Sequence, residues 1–509
     1  MIGVYPKPVK PNPMKELLPP SADLRLSQGP TKVTRADLAR LDQAVIVLPP
    51  KPAEADWKAV PGGAQLRAAS RRAGAGTAVH SRLANPRGTG LSAQALPSGK
   101  LDSFRLLQFA GKLVAAALAA RPRSLAFILS RLDGGTAARL AEALVLAAYA
   151  QNFALPTTQT KGKSRASLKS ITIFGVKEPL ELAPVAIAAR AQNLARWLTS
   201  LPPNRLNASG YRELATQLAK EYGWQMQFLD EKKLARENAG AFLAVSQGNA
   251  TRDAGIIHLR YQPKKASKQK PLALVGKGIV FDTGGNNLKP HKSMLDMHED
   301  MAGSAVALAT LQALTELDYP RTVDCWLAVT ENRISATAYL PRDVITASNG
   351  TTIEIIHTDA EGRLVLADTL AIAGRQEPEL IIDYATLTGA CVYSLTERYS
   401  GVFTNRDSFN EELVAAGRRS GERVWPFPMD KDFDEALKSK AADILQCSLD
   451  GSGDHILAAR FLQRFVPKGS DWVHMDLSSA SRKEGLGQVP GGATGFGVRL
   501  TLEFLQAYK

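Results

Sequence analysis

Apolar residues in the first two-fifths of the chain form short continuous runs separated by longer stretches at helical spacing. The runs at 43–48, 125–129 and 171–174 predict buried strands, and the stretches 103–120 and 135–149 predict helices between them. Strands that alternate with helices of this length are typical of an α/β domain. The polar, basic run 157–169 before the last strand predicts a solvated hairpin loop.

The same alternation is clearer in the rest of the chain. A helix predicted over 183–201 ends at two prolines and is interpreted as a connector. Beyond it we predict helices at 211–222, 301–317 and about 366–373, and strands at 255–261, 272–275, 325–329, 352–356 and 380–384. This pattern predicts a mostly parallel sheet with its functional residues at the carboxyl ends of the strands. The predicted division is an N-terminal α/β domain (1–182), a connecting helix (183–204) and a larger C-terminal α/β catalytic domain (205–509).

The net charge of +14 is unevenly distributed along the 509 residues. Residues 1–200 hold 28 Lys and Arg against 11 Asp and Glu, whereas residues 201–509 hold 35 against 38. Such asymmetry indicates either a module that faces a polyanion or a surface that is simply well solvated. Nucleic-acid binding through the basic N-terminal domain is therefore an alternative or additional function.

Cysteine content and hydropathy indicate a cytoplasmic protein without membrane contact. The three cysteines (Cys325, Cys391 and Cys447) form no CxxC pair, which argues against a disulfide framework and a cysteine zinc site. Residues 1–20 are interrupted by prolines and lack the apolar core of a signal peptide. The most apolar stretches, 113–120 and 140–150, are shorter than the roughly 20 residues of a membrane span.

Lys277 and Asp282 are predicted to lie in a glycine-rich turn just after a strand. A phosphate-binding loop is excluded because no Ser or Thr follows the lysine and the glycine spacing differs. Two solvated loop charges remain the alternative for this pair. Further along, Lys289 and Asp300 are candidates, although Asp300 is also well placed to cap the helix at 301–317.

Asp359, Glu361 and Arg363 are two residues apart from one another. On an extended segment they would share one side, because side chains alternate along a strand. Two crowded carboxylates are costly unless a cation neutralises them, so a divalent metal site is one interpretation. A surface network of two carboxylates and one arginine is the other.

These motifs together resemble the leucyl aminopeptidase (cytosolic aminopeptidase) family. The resemblance covers about 195–509 and includes Thr358-Asp-Ala-Glu-Gly-Arg-Leu364, Asp383-Tyr-Ala-Thr-Leu-Thr-Gly-Ala390, His474-Met-Asp476 and Gly491-Gly-Ala-Thr-Gly495. It implies a metal-dependent aminopeptidase whose N-terminal domain has a macro-like α/β fold. An enzyme-like scaffold without activity is a weaker interpretation, because all the implied ligands are present.

The resemblance implies two divalent ions, held by Lys277, Asp282, Asp300, Asp359 and Glu361. Asp282 and Glu361 would bridge both ions, Lys277 and Asp300 would complete one, and Asp359 the other. Mn or Zn is expected, with Mg or Co possible for such oxygen-rich ligands. Lys277 can ligate only as a neutral amine, so we expect metal and burial to lower its pKa.

The resemblance also assigns catalytic roles to Lys289 and Arg363. Lys289 would stabilise the developing oxyanion, and Arg363 would hold a bicarbonate ion that accepts the proton of the attacking water. The substrates would be peptides with a free N-terminus, and the family's assembly is a homohexamer built as a dimer of trimers. His357 is interpreted as a strand residue.

Two departures from the family pattern are visible. Arg342 stands where relatives often have glycine, which predicts a differently shaped loop. The predicted pocket for the substrate's first residue contains Met297, Thr386, Gly389, Ser478 and Ser481. The two serines make this pocket more polar than one that selects leucine.

Overall fold

The computed structural model describes residues 17–20, 23–74, 77–157, 159, 168–265 and 269–508. These residues form two compact units. The larger unit comprises 17–20, Leu194–Asn410 and Trp425–Ala480, and the smaller unit comprises 23–193, Glu411–Val424 and 481–508. This division differs from the three predicted consecutive segments, because two stretches from the C-terminal part of the chain belong to the same compact unit as residues 23–193.

Most helices and strands of the smaller unit come from the N-terminal part of the chain. In chain order they are β1 (Arg25–Gln28), α1 (Arg35–Leu38), β2 (Gln43–Leu48), α2 (Glu54–Lys58), α3 (Gly63–Ser70), β3 (Val79–Arg82), β4 (Gly90–Ala95), α4 (Ser103–Leu118), β5 (Ser124–Ile128), α5 (Gly134–Asn152), β6 (Ser170–Phe174) and α6 (Leu182–Thr199), the last of which continues into the larger unit. Six strands form one sheet in the order β1-β6-β5-β2-β4-β3, in which only β3 is antiparallel to its neighbour.

Both faces of this sheet are covered, which explains the continuous apolar runs of its central strands. Val45 and Phe127 face one core together with residues of α4 and α5, whereas Ile46 and Ile128 face a second core together with residues of α1, α2 and α3. A side chain caps the start of each of the two long helices: Asp102 accepts from the backbone N–H of Arg105 at 2.8 Å before α4, and Asp133 accepts from that of Thr136 at 2.9 Å before α5. The unit is therefore a three-layer α/β structure.

The remaining elements follow in the rest of the chain. They are α7 (Ala208–Tyr222), β7 (Gln225–Asp230), α8 (Glu231–Arg236), α9 (Gly240–Ser246), β8 (Gly255–Tyr261), β9 (Leu272–Asp282), α10 (His291–Met294), α11 (Ala302–Glu316), β10 (Val323–Asn332), β11 (Val344–Thr346), β12 (Thr352–Glu354), α12 (Glu361–Gly374), β13 (Leu380–Ala385), α13 (Gly389–Leu395), β14 (Ser400–Thr404), α14 (Ser408–Ser420), β15 (Val424–Pro426), β16 (Ile444–Leu445), α15 (Asp454–Gln463), β17 (Asp471–Asp476), β18 (Ser481–Arg482), β19 (Gly492–Ala493) and α16 (Val498–Ala507). Short 3₁₀ helices span Met297–Glu299, Thr396–Arg398 and Lys431–Leu437.

An eight-stranded sheet, ordered β15-β14-β17-β13-β9-β10-β8-β7, forms the centre of the larger unit. Its four middle strands, β17, β13, β9 and β10, pair in parallel, and antiparallel strands flank them on both sides. The mixed α/β fold and the parallel centre of the sheet confirm the predicted fold class. The carboxyl ends of the four parallel strands consequently meet along one edge of this sheet.

Helix α11 packs directly on the parallel strands, and glycines make this contact possible. A Cβ atom on Gly303 would lie 2.1 Å from the carbonyl oxygen of Tyr384, and one on Gly276 would lie 2.4 Å from the Cα of Ser304. Neither neighbour is a flexible side chain that could move aside. The close approach fixes the start of α11 against β9 and β13.

Several predicted elements have the predicted bounds, and others differ. The strands at 43–48 and 255–261 are confirmed as β2 and β8. The strand predicted at 272–275 continues to Asp282, so Lys277 and Asp282 lie in β9 and not in a turn after it. The helix predicted at about 366–373 begins at Glu361. Most of the predicted loop 157–169 lies outside the described residues.

None of the helices that the structure describes is both long enough and apolar enough to cross a membrane.

We expect Gly303→Ala to destabilise the larger unit by about 1–3 kcal/mol, the usual cost of overpacking a filled interior. The measurement is the free energy of unfolding from urea titration. Gly389→Ala is the matched control, because its Cβ would meet only Tyr393 Cε2, at 3.9 Å. Equal stability of the two variants would show that the contact between α11 and β13 is looser than these distances indicate.

Candidate metal centre

Five predicted ligands come together at the carboxyl edge of the parallel strands. Lys277 lies within β9 and Asp282 ends it, whereas Asp300 lies just before α11. Asp359 lies in the turn that precedes α12, and Glu361 is the first residue of that helix. One strand and the starts of two helices therefore supply all five side chains.

Two lysines neutralise part of this cluster. The Lys277 Nζ atom lies 2.8 Å from Asp300 Oδ2 and 3.0 Å from Glu361 Oε1. The Lys289 Nζ atom lies 2.9 Å from Asp282 Oδ2 and 2.5 Å from Asp359 Oδ1. Each ammonium thus links two carboxylates, and the surface-network interpretation of Asp359 and Glu361 is wrong, because Glu361 is fully enclosed.

The donor set fits divalent cations. Carboxylate oxygens of Asp282, Asp359 and Glu361 all lie within 4.8 Å of one another. Four carboxylates, including that of Asp300, face only two ammonium groups, so the cluster carries an excess of negative charge in a buried place. Oxygen ligands in such an arrangement suit Mg, Mn and Zn ions, and a cation would remove the excess.

The pKa values of the cluster reflect this crowding. Burial, reinforced by the Glu361 carboxylate, raises the pKa of Asp300 and that of Asp359 to about 7. Burial lowers the pKa of Lys277, but the carboxylates of Asp300 and Glu361 raise it more, and the net shift is upward. Burial alone therefore does not make Lys277 a neutral amine, and a cation that takes it as a ligand would have to displace its proton.

Glycines allow the chain segments that form the cluster to lie close to one another. A Cβ atom on Gly362 would lie 2.7 Å from Lys277 Nζ, and one on Gly284 would lie 3.0 Å from Asp359 Oδ1. Gly284 also has a φ of +85°, in the left-handed region that glycine favours. These positions leave no space for a side chain between the ligands.

Two predictions about the local backbone are wrong. Asp359, Glu361 and Arg363 do not share one side of an extended segment, because the chain turns at 358–360 and α12 then begins. Asp300 does not cap α11, whose cap position is Met301. The Asp300 carboxylate instead accepts from Thr386 Oγ1 at 2.7 Å, besides its contact with Lys277.

Asn332 and Thr358 organise the cluster and were missed in the sequence. The Asn332 side-chain amide donates to Asp282 Oδ1 at 2.8 Å and to the Thr358 carbonyl at 3.0 Å. The Thr358 hydroxyl donates to the Gly284 carbonyl at 2.6 Å. Asn332 ends β10, so a polar residue at the end of a predicted parallel strand was the available signal.

A second polar cluster supports the loop after β13. Asp476, at the end of β17, accepts from the Thr388 hydroxyl at 2.6 Å and from the Leu387 N–H at 3.2 Å. Beneath it, Asp383 pairs with His474 at 2.6 Å, and both side chains are fully buried. These motif residues thus position the loop that contains Thr386 and do not face the carboxylate cluster.

Arg363 is buried and already paired. One terminal nitrogen donates to both carboxylate oxygens of Asp454, at 2.8 Å each, and the other donates to the Gln446 carbonyl at 3.3 Å. Asp454 is the first residue of α15, distant in sequence from every motif. Any anion that binds Arg363 must therefore compete with a carboxylate of the chain itself.

A model of the cytosol aminopeptidase family catalytic domain matches residues 193–502. A probable cytosol aminopeptidase from Syntrophotalea carbinolica is 42% identical over 375 residues, which are 72% of this chain and 74% of that protein. The chain belongs to the cytosol aminopeptidase family.

Solved structures agree with this assignment. A tomato leucine aminopeptidase mutant has a TM-score of 0.83 and 28% identity, over 97% of this chain and 99% of its own. The bottromycin maturation enzyme BotP, in complex with Mn, has a TM-score of 0.77 and 31% identity, over 92% of this chain and 99% of its own. As a member of the cytosol aminopeptidase family, the chain is a metal-dependent peptide hydrolase.

The predicted pocket residues of this aminopeptidase lie in several elements. Met297 lies in a 3₁₀ helix, Gly389 begins α13, and the Thr386 carbonyl accepts from Lys277 Nζ at 3.0 Å. The Ser478 hydroxyl donates to the Tyr399 carbonyl at 3.1 Å, whereas Ser481 begins β18 in the smaller unit. The polar first-residue pocket stays a prediction.

Arg342, the other departure, adopts a φ of +79°. This is the backbone region that glycine favours, so the arginine retains a conformation suited to glycine and carries backbone strain. Its side chain donates to Glu354 Oε1 at 2.5 Å, and that buried carboxylate also accepts from Ser439. This contact anchors the loop to β12.

Because Asp300 and Asp359 have pKa values near 7, metal uptake should release protons at neutral pH. Below pH 7 both side chains hold protons that a cation must displace, so we expect the Kd for Mn²⁺ to rise at least about tenfold from pH 8 to pH 6. Calorimetric titration of metal-free protein with Mn²⁺, in buffers of different ionisation enthalpy, measures both the Kd and the number of protons released.

Asp300→Asn is the informative variant for this titration, because it removes one of the two titrating carboxyls. We expect it to release fewer protons for each ion bound. Asp434→Asn is the control, because Asp434 pairs with Arg460 outside the cluster. A Kd that does not change between pH 6 and pH 8 would contradict the raised pKa values.

Proposed function

We propose that the chain hydrolyses the N-terminal peptide bond of peptides by means of two divalent ions. The observation that carries this proposal is the convergence of the five predicted ligands in one buried cluster with excess negative charge. By the family resemblance, Asp282 and Glu361 would hold both ions, Lys277 and Asp300 would complete the ligands of one ion, and Asp359 those of the other. Mn or Zn is the expected metal, with Mg or Co as alternatives.

When bound, such ions polarise the scissile carbonyl and lower the pKa of a water molecule to near neutrality. The chain itself supplies a cation for the charge that develops on the carbonyl oxygen. Burial lowers the pKa of Lys289, the carboxylates of Asp282 and Glu361 raise it more, and the net shift is upward. Its ammonium thus stays protonated, and two of its three N–H groups are engaged with Asp282 and Asp359. The third is available to a substrate oxyanion.

The same cluster offers a reason for the requirement for a free N-terminus. The Asp300 carboxylate and the Thr386 carbonyl both lie within 3.0 Å of Lys277 Nζ. A free α-amine that reaches this end of the cluster can donate hydrogen bonds to the Asp300 carboxylate and the Thr386 carbonyl, close to the predicted metal ligands. In an acylated amine the nitrogen lone pair is delocalised into the new carbonyl, so the nitrogen no longer acts as a ligand, and the carbonyl oxygen is repelled by these acceptors.

Bicarbonate on Arg363 is the remaining part of the family mechanism. The guanidinium supports this proposal because it is buried and its Nε has no hydrogen-bond partner among the described residues. The Asp454 carboxylate occupies one terminal nitrogen of the guanidinium, and the Gln446 carbonyl accepts from the other. We therefore propose that bicarbonate binds weakly in this chain, and that the Asp454 carboxylate takes the place of the anion beside Arg363.

Assembly and location follow the same resemblance. We propose a cytoplasmic homohexamer, a dimer of trimers, of a 54.7 kDa chain. Sedimentation equilibrium should give six times the chain mass, and a stable monomer with full activity would refute the hexamer.

We expect removal of metal by a chelator to abolish hydrolysis of an unblocked aminoacyl amide, and Mn²⁺ or Zn²⁺ to restore it. Asp359→Asn should lower kcat/KM at least about a hundredfold, because one ligand charge is lost. The same substrate with an acetylated α-amine should not be cleaved.

Glu221→Ala, an exposed carboxylate at the end of α7, is the control and should retain full activity. Thermal unfolding shows whether each variant is folded. Hydrolysis that survives both chelation and Asp359→Asn would refute the dinuclear mechanism, and cleavage of the acetylated substrate would refute recognition of the amine.

Asp454→Asn tests the pairing with Arg363. We expect added bicarbonate to raise the kcat of this variant by about tenfold. The kcat of the unaltered protein should rise by less than about twofold, because there the Asp454 carboxylate already neutralises Arg363. Asp434→Asn breaks a similar two-oxygen pair with Arg460 elsewhere and should respond like the unaltered protein.

Equal stimulation of both proteins would show that Asp454 and the anion do not compete. If bicarbonate stimulates neither, it has no part in this enzyme's mechanism.

A further inference from the structure

The smaller unit contains a cleft that the peptidase chemistry does not use. Its volume is about 480 Å³, within the range of small-molecule sites. Chain segments that follow β1, β5 and β6 line it, together with the loop between α2 and α3. These three strands are parallel, so the cleft lies at the carboxyl edge of the six-stranded sheet.

This edge is where open α/β sheets bind ligands. The connection that leaves β2 leads to β3 and β4 on one side, whereas the connection that leaves β5 leads to β6 on the other. The strand order therefore reverses between β2 and β5, which are parallel neighbours in the sheet: the chain proceeds toward one edge after β2 and toward the other edge after β5. The cleft is lined from both sides of this switch, by Val60 after β2 and by Ser130 after β5.

Ser130 lines the cleft, and its buried hydroxyl has no hydrogen-bond partner among the described residues. The residue is only 9% exposed. The Gly175 backbone packs against it, since a Cβ there would lie 2.7 Å from Ser130 Oγ. The next residue, Arg131, has a φ of +74°, a conformation that costs energy for an arginine. A buried hydroxyl without a partner needs an explanation, and strained backbone is concentrated at ligand-binding and active sites.

The rest of the lining is cationic and apolar. Lys32 and Arg35 have no ion pair with any carboxylate that the structure describes. Lys58 and Arg131 also line the cleft, although they pair with Glu54 at 2.8 Å and Asp56 at 3.0 Å. Val33 and Val60 add apolar surface. An anion with an apolar body complements such a lining.

We propose that this cleft binds a phosphorylated small molecule of nucleotide size. The phosphate accepts from Ser130 Oγ and pairs with Lys32 and Arg35, and the apolar body contacts the valines. The proposal is independent of the aminopeptidase activity, because none of these residues belongs to the metal centre. In this proposal, part of the positive charge of residues 1–200, that of Lys32 and Arg35, binds a phosphate group.

The test is calorimetric titration of the full-length protein with AMP, inorganic phosphate and adenosine at about 50 mM salt. We expect AMP to bind with a Kd below about 1 mM, and phosphate and adenosine to bind more weakly, because each supplies half of the complementarity. Ser130→Ala should weaken AMP binding by about tenfold through loss of a hydrogen bond to a charged group. The double variant Lys32→Glu, Arg35→Glu should weaken it further.

Lys112→Glu is the matched control, because Lys112 is exposed on α4 and does not line the cleft. It should change AMP affinity less than about twofold, and all variants should retain peptidase activity, which shows that they are folded. Absence of AMP binding would overturn the proposal, as would equal weakening by Lys112→Glu and the double variant. Binding of duplex DNA without binding of AMP would also overturn it and would favour a polyanion surface.

Discussion

The crowding of four carboxylates in one cluster, three of them buried and that of Asp359 partly exposed, is the constraint on which the larger unit depends. Ionised carboxylates that leave water lose several kcal/mol of hydration each, and their mutual repulsion adds to this cost. Lys277 and Lys289 offset only half of the charge. The pKa values near 7 of Asp300 and Asp359 show that the remaining charge is unfavourable at neutral pH. A fold that maintains such a cluster is pre-organised for cations, because each ion bound removes repulsion that the folded chain otherwise carries.

Pre-organisation depends on backbone contacts more than on the ligands themselves. Helix α11 reaches β9 only because Gly276 and Gly303 leave no side chain between them, and Gly362 does the same beside Lys277. Asn332 then fixes Asp282 by donating a hydrogen bond to its carboxylate. Positions without a side chain thus determine where the charged groups lie, and one polar side chain determines their orientation. The excess of negative charge persists because these segments cannot move apart without unpacking the centre of the sheet.

The sequence predicted which side chains form the cluster but not the local backbone that brings them together. The sequence predicts an extended segment at the start of helix α12, because almost all of the helix's residues are buried and it therefore lacks the polar face that gives a helix its period. Continuous burial also explains why β9 was predicted too short, since its glycines at 276 and 278 look like a turn but lie in a packed strand. Asp454 could not be predicted as the partner of Arg363, because the pair joins residues 91 positions apart and no periodic pattern connects them. Local patterns identify chemistry, whereas long-range packing decides which groups meet.

The net charge of +14 has little influence on the metal centre. Charges on the surface are screened within roughly 8 Å at physiological ionic strength, so the distributed lysines and arginines of residues 1–200 do not set the potential among buried carboxylates. Immediate neighbours set it, as the opposite effects of burial and of Glu361 on the pKa of Lys277 demonstrate. Arg363 follows the same rule, because Asp454 neutralises it at contact distance. The basic excess therefore acts where its residues lie near one another without a carboxylate partner, as Lys32 and Arg35 do among the described residues beside the cleft of the smaller unit.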